Sequence, residues 1–354
     1  MKKIYYITAV FATLFLVGCG DGIDLPGVNV ETDLNKIPLP DNNVNLEQVE
    51  LKPSTEPMLH EGLHTEEDFQ RIRDKKAAGE EPWVSAYQLL VESQFSQKTA
   101  DTYPTEWIKR GVSGDENYMN AARGATIAYQ QALRWKIEQD DEYAAKAVEN
   151  LNKWVQTCVG VTGNTNLSLA AGLYGYEFAI AGELLRDYEG WDRADFAAFQ
   201  NWLLKVFYPA NDDFLKRHHD TNALHYWANW CLCNIAAKMA IGIVTDRRDI
   251  YNEGIDHLQT GDTNGRLRRA IYHDYAPDYN FAQWQESGRD QGHTLMCVGL
   301  MGIICQLAWS QGDDFFAYDD NLFLRACEYA ACCNYTNETV PYTTYIWQKQ
   351  SQWG

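Results

Sequence analysis

From residue 64 onward the chain repeats one pattern: apolar residues recur at intervals of three and four, and each run ends in Gly, Asp or Asn. The first run, "HTEEDFQRIRDKKAAGEEPW", places Thr65 as a helix N-cap, acidic residues in the first turn, and Gly79 as a stop. The same pattern returns in "ENYMNAARGATIAYQQALRWKIEQDD", "EYAAKAVENLNKWVQTC", "LSLAAGLYGYEFAIAGELLRDY", "DRADFAAFQNWLLKVF" and "RRDIYNEGIDHL". Other runs, such as "ALHYWANWCLCNIAAKMAIGIV" and "GHTLMCVGLMGIICQLAWSQG", are apolar on nearly every side. Strand-like alternation is hard to find. These features predict an all-α fold in which helical hairpins form an α/α toroid, an incomplete barrel with an apolar inner ring and an amphipathic outer one. A helical-repeat solenoid is the second architecture, and the lack of a fixed sequence period counts against it.

The N-terminus reads differently. "MKK", the apolar run "IYYITAVFATLFLVG" and Cys19 have the layout of a secretory leader, and "LVGC" resembles a bacterial lipobox. This predicts a signal peptide over 1–18, lipid attachment at Cys19, and a mature protein anchored to a membrane of the cell envelope. The leader's apolar run is shorter than the ~20 residues a bilayer span needs, and no later segment reads as a span. Residues 19–57, with Pro26, Pro38, Pro40 and Pro53 among Asp, Asn and Glu, read as a flexible tether, and 58–354 as one domain. With Cys19 assigned to lipid, eight cysteines remain, all in apolar helical stretches. They read as buried small hydrophobes sooner than disulfides, with the adjacent Cys332 and Cys333 the place most open to oxidation.

A net charge of −19 argues against nucleic acid as a partner. An anionic substrate stays open, because "LKRHH" and "GRLRRA" are local basic clusters. The chain also has 12 Trp and 21 Tyr, more than core packing requires, and aromatics lining a cleft suit sugar rings.

Two stretches concentrate polar groups beside apolar helices. In "HHDTNALHYWANW", a helix entered near Thr221 would put Asn222, His225 and Asn229 on one face. In "QESGRDQGHT", a helix begun near Gly288 would align Arg289 with His293, leaving Glu286 just ahead of the first turn as their structural holder. Amide, imidazole and guanidinium groups suit β-elimination on a uronic-acid polysaccharide better than hydrolysis. Elimination needs donors that neutralise the carboxylate, a base for the C5 proton, and an acid for the leaving oxygen. Hydrolysis needs two carboxylates about 5 to 10 Å apart, and no such pair is recognisable. A metal site built from His218, His219, Asp220 and His225 is a weaker reading.

Three blocks resemble a known family: "HEGLHTEEDFQRIRDKKAAGEEPW", "NALHYWANWCLCNIAAKMAIGIVTDRRDIY" and "ESGRDQGHTLMCVGLMGIICQLAWSQGDD". The family is that of the alginate lyases, helical-toroid polysaccharide lyases, in the form found in Bacteroidetes lipoproteins. The resemblance covers about residue 59 to the end. It implies an α/α toroid, β-elimination on a polyuronate, and no cofactor or metal. The family's Asn-Asn-His run before a Tyr-Trp pair is matched by Asn222, Tyr226 and Trp227, but Ala223 and Leu224 intervene and the histidine arrives one place late, as His225. Arg289 matches the family arginine; Met296 stands where a catalytic tyrosine is expected. The resemblance therefore implies Asn222 and Arg289 as carboxylate neutralisers, with His225 and His293 as proton-transfer candidates. Tyr272, Tyr275 or Tyr279 is the alternative acid. Tyr226, Trp227, Asn229, Tyr279 and Glu286 are expected to contact substrate. The altered pattern points to alginate, glucuronan or another uronate as the polymer, and the short stretch after Pro341 to a chain truncated at its C-terminus. A non-catalytic glycan-binding lipoprotein and a toroid hydrolase are the alternatives.

Overall fold

The computed structural model describes residues 48–335, 339–347 and 350–353. The leader 1–18, Cys19 and most of the 19–57 tether lie outside the described residues.

Helix α1 (Glu66–Ala77) opens on Thr65, whose side chain and that of Asp68 form a reciprocal capping box. After α2 (Trp83–Glu92), four long helices form the inner wall: α3 (Tyr118–Glu138), α5 (Leu167–Leu184), α8 (Ala228–Val244) and α10 (Gln291–Ser310). Helices α4 (Asp141–Thr157), α6 (Arg193–Val206), α7 (Tyr208–Arg217), α9 (Arg248–Thr260) and α11 (Tyr318–Tyr335) connect and back them. The apolar run of α8 is explained by burial on every face, since Trp230 alone of its 17 residues is not buried. Outer helices α4 and α9 instead bury one stripe, Tyr143, Ala144, Ala147, Val148, Leu151 and Trp154 in the first case.

Neighbouring inner helices run parallel. Asn234 in α8 donates to the Ser168 carbonyl at the start of α5 (3.2 Å), while Arg186, just past the end of α5, donates to the Val244 carbonyl at the end of α8 (2.8 Å). Close approach needs Gly172: a Cβ there would lie 2.5 Å from Cys233 Sγ and 3.0 Å from the Asn234 backbone nitrogen. Buried Lys238 ties α8 outward to Asp212 of α7 (2.8 Å) and Glu253 of α9 (2.5 Å). The eight cysteines described are all free and six are buried, as small core hydrophobes should be.

Three details depart from the sequence reading. Among the described residues there are three two-stranded sheets: β1 (Trp107–Arg110) parallel to β2 (Gly160–Gly163), β3 (Ile271–Asp274) antiparallel to β4 (Ala282–Trp284), and β5 (Tyr345–Trp347) antiparallel to β6 (Gln350–Trp353). Strands of three or four residues are too short to show alternation. Second, α10 is long and apolar enough to cross a bilayer by length and composition, with mean hydropathy 1.4. Half of that window is buried inside the fold, which accounts for its apolarity as an inner helix. Third, the last part of the expected tether is docked: Gln259 hydrogen-bonds both backbone groups of Val49, and Asn252 donates to the Lys52 carbonyl (2.7 Å).

Candidate active site

Helices α8 and α10 begin side by side, and most of the sequence candidates gather there. Helix α8 starts at Ala228, later than the sequence reading placed it, because residues 221–227 form turns of their own. Asn222 Oδ1 accepts from the Leu224 backbone N–H (2.8 Å), and the His225 N–H donates to the Asn222 carbonyl (2.9 Å). Asn264 pins the loop from outside by donating to the carbonyls of Leu224 (3.1 Å) and Tyr226 (2.7 Å). Trp227 is the N-cap residue and makes no side-chain cap, so Gln285 Oε1 accepts from the Ala228 N–H instead (2.9 Å).

The single helical face expected for Asn222, His225 and Asn229 does not form, because only Asn229 is in the helix. Asn222 is exposed on the loop and His225 is half-buried against Tyr226, ring centroids 4.8 Å apart. The second alignment also changes. Asp290, not Gly288, caps α10, accepting from the His293 N–H (3.0 Å), so Arg289 precedes the helix that carries His293.

The resulting cluster is compact. Arg289 Nη1 lies 2.5 Å from Glu286 Oε2, and the guanidinium covers the Trp227 ring at 4.9 Å. His293 Nδ1 lies 2.7 Å from Asp290 Oδ2, a close ion pair when the ring is protonated. Asn229 Nδ2 donates to Met296 Sδ (3.8 Å), and its Oδ1 is buried without a hydrogen-bond partner. The positive ends of α8 and α10 add to the guanidinium charge, so the place favours an anion.

Electrostatics separates the two acids. Burial pushes the Glu286 carboxyl up to about 7, even though His293 and Arg289 pull it down. Burial also opposes ionisation of Asp290, but there the His293 backbone N–H, its imidazole and Arg289 win, and the carboxyl lies below the ordinary range.

Tyr226 faces the other way, into a ring cluster with Phe214, His218 and Trp230. His218 is turned into the core, 3.5 Å from Cys231 Sγ, and burial together with His219 and His225 pushes it down to about 4. His219 Nε2 lies 2.9 Å from Ser168 Oγ at the start of α5. The adjacent histidines are thus committed to different partners, and among the described residues no group of three metal-binding side chains forms.

The tyrosines of "YHDYAPDY" do not meet Arg289 in any described contact. Tyr279 is exposed beyond β3 and packs on Tyr275. Tyr275 and Tyr272 donate to Gln283 (2.6 Å) and the Thr344 carbonyl (3.3 Å). Two later tyrosines, missed in sequence, come closer. Tyr345 is buried against Trp227 (5.5 Å) and accepts from Gln285 (2.7 Å). The Tyr342 hydroxyl sits over Gly288, where a Cβ would lie 2.2 Å from it. No local signal links residue 342 to residue 288, so only the folded chain reveals the pairing.

The alginate lyase family model matches residues 72–338, three quarters of the chain and all four inner helices. The chain belongs to the alginate lyase family. Solved alginate lyases share its fold. Alginate lyase A1-III from Sphingomonas species A1 is 13% identical with a TM-score of 0.56, covering 78% of this chain and 80% of that one. An alginate lyase from Bacteroides ovatus is 15% identical with a TM-score of 0.56, covering 76% and 82%. A Tyr-to-Phe variant of A1-III complexed with tetrasaccharide is 14% identical with a TM-score of 0.57, covering 80% and 81%. No curated protein sequence matches this alginate lyase family member. The shared architecture is the α/α toroid expected from the hairpin pattern.

Proposed function

We propose that this polysaccharide lyase cleaves a polyuronate at the α8–α10 mouth, with alginate the first substrate to test and glucuronan the second. The observation that carries the reading is Arg289, held between Glu286 and the Trp227 face where two helix N-termini converge. A uronate carboxylate placed against Arg289 loses the charge that keeps the C5 proton inert. His293 then takes that proton, the C–H electron pair forms the C4–C5 double bond, and the C4–oxygen bond breaks. The Tyr342 hydroxyl, beside Gly288, gives its proton to the leaving oxygen. Burial raises the Tyr342 pKa, which keeps it protonated for that task. Glu286 and Asp290 act through Arg289 and His293 as positioning residues, and Trp227 and Asn229 form the wall that meets the sugar.

Ultraviolet absorbance of the unsaturated uronate end, followed with the purified protein on alginate and glucuronan, tests this. A steady rise that Tyr342→Phe and His293→Gln abolish supports it; polymer binding with no rise favours a glycan-capture protein instead. We also propose that Cys19 carries lipid and holds the enzyme at the cell envelope, on the strength of "LVGC" after the apolar leader. Cys19→Ala should release the protein from membranes, and unchanged membrane fractionation would argue against the anchor.

A further inference from the structure

The stretch "FAQWQE" buries two amides on one side of a strand. Gln283 lies within β4 and Gln285 just after it, at 0% and 2% exposure. Trp284, between them, faces the other way and donates from Nε1 to the Ala326 carbonyl of α11 (2.9 Å). A buried amide is costly unless its oxygen and nitrogen both find partners. These two direct theirs at one segment, Pro341–Tyr345. Gln283 Oε1 accepts from the Thr343 N–H (2.9 Å) and its Nε2 donates to the Thr343 carbonyl (2.8 Å). A single side chain thus occupies both backbone groups of one residue, as a neighbouring strand would. Gln285 Nε2 donates to the Tyr345 hydroxyl (2.7 Å), while its Oε1 caps α8.

Three tyrosines complete the clamp. The Tyr275 hydroxyl donates to Gln283 Oε1 (2.6 Å) and lies 3.1 Å from Thr343 Oγ1. Tyr272 donates to the Thr344 carbonyl (3.3 Å), and Tyr329 of α11 to the Pro341 carbonyl (2.9 Å). Pro341, Thr343 and Thr344 are therefore all fixed, and Tyr342 stands among them with its hydroxyl over Gly288. That glycine precedes Arg289, and a Cβ on it would lie 2.2 Å from the hydroxyl. The hydroxyl owes its place to a missing side chain at 288 and to the bonds that hold its neighbours. Gln283 supplies two of those bonds and orients Tyr275 for a third. A displacement of about 1 Å in a reacting group can cost on the order of 100-fold in rate, so the clamp bears on the chemistry without touching the sugar.

We propose that Gln283 is a positioning residue of the elimination: its amide pins Thr343 and so holds the Tyr342 hydroxyl where the leaving oxygen departs. This rests on the reading above that Tyr342 is the acid. Two substrates test it, an alginate oligomer and a uronoside whose C4 oxygen carries a 4-nitrophenyl group, which leaves as nitrophenolate and needs no proton from the enzyme. Gln283→Ala should lower kcat on the oligomer on the order of 100-fold with KM unchanged, and keep wild-type kcat on the aryl substrate. Tyr342→Phe should show the same selectivity more strongly. An equal loss on both substrates would make Gln283 merely structural, and no loss on either would make it idle; both overturn the positioning role while a selective Tyr342→Phe leaves the acid in place. If Tyr342→Phe slows both substrates alike, or neither, Tyr342 is not the acid and the role of Gln283 falls with it. A wild type that cleaves neither substrate refutes the lyase reading and this role together. Should Gln283→Ala not fold, Gln283→Asn keeps the amide but shortens its reach, and is judged by the same ratio of rates.

Discussion

Replacing Glu286 with Gln removes a charge while keeping the side chain's shape, and its consequence can be worked from the structure. Glu286 is 1% exposed, so solvent screening is slight. Burial shifts its carboxyl from 4.5 to about 7. At about 1.4 kcal/mol per pH unit, that displacement is worth about 3 kcal/mol. The sign follows from proton counting. Between pH 4.5 and about 7 the folded chain keeps a proton that the unfolded chain has lost, so stability falls as pH rises through that window. The Gln variant has no such proton to lose. Chemical denaturation of both proteins from pH 4.5 to 8 should show the variant gaining on wild type by about 3 kcal/mol across the window and then levelling. A constant difference would show that Glu286 titrates as it does in the unfolded chain. Wild type gaining with pH would show that the Arg289 pair outweighs burial, reversing the electrostatic account of the cluster.

Arg289→Ala should lower kcat/KM by on the order of 100- to 1000-fold, the cost of losing a donor to developing negative charge; turnover near wild type would make Arg289 structural. His293→Gln should lose turnover at every pH, whereas His225→Gln keeps turnover and the acidic limb of its pH–rate profile; the opposite outcome moves the base to His225. Gly172→Ala should destabilise the fold by about 1–3 kcal/mol in thermal or denaturant unfolding, because the added methyl meets Cys233 and the α8 backbone; an unchanged midpoint would mean the two helices separate at no cost.

Much of the architecture was legible because buried and half-buried helices leave different periodicities. The near-continuous apolar runs became α8 and α10, and the striped ones became outer helices such as α4 and α9. Thr65 was readable as a cap because a capping box is local. The starts of α8 and α10 were read too early, since an Asn222 turn replaces helix at 222–224 and the cap of α8 comes from Gln285, 57 residues away. The same holds for the site. Glu286 as holder of Arg289 is a three-residue relation and could be read. The Trp227 face over Arg289, the Tyr342 hydroxyl over Gly288, and the bond from Asn229 to Met296 join distant parts of the chain through packing alone.

The most direct test of the central claim is the mass balance of the products. Elimination splits a uronate chain without adding water, so fragments of a defined oligoalginate should sum in mass to the intact oligomer, and one should carry the unsaturated, ultraviolet-absorbing end. Fragments that together gain one water per cut, or an oligomer recovered whole after binding, would contradict the lyase mechanism assigned to Arg289 and its neighbours.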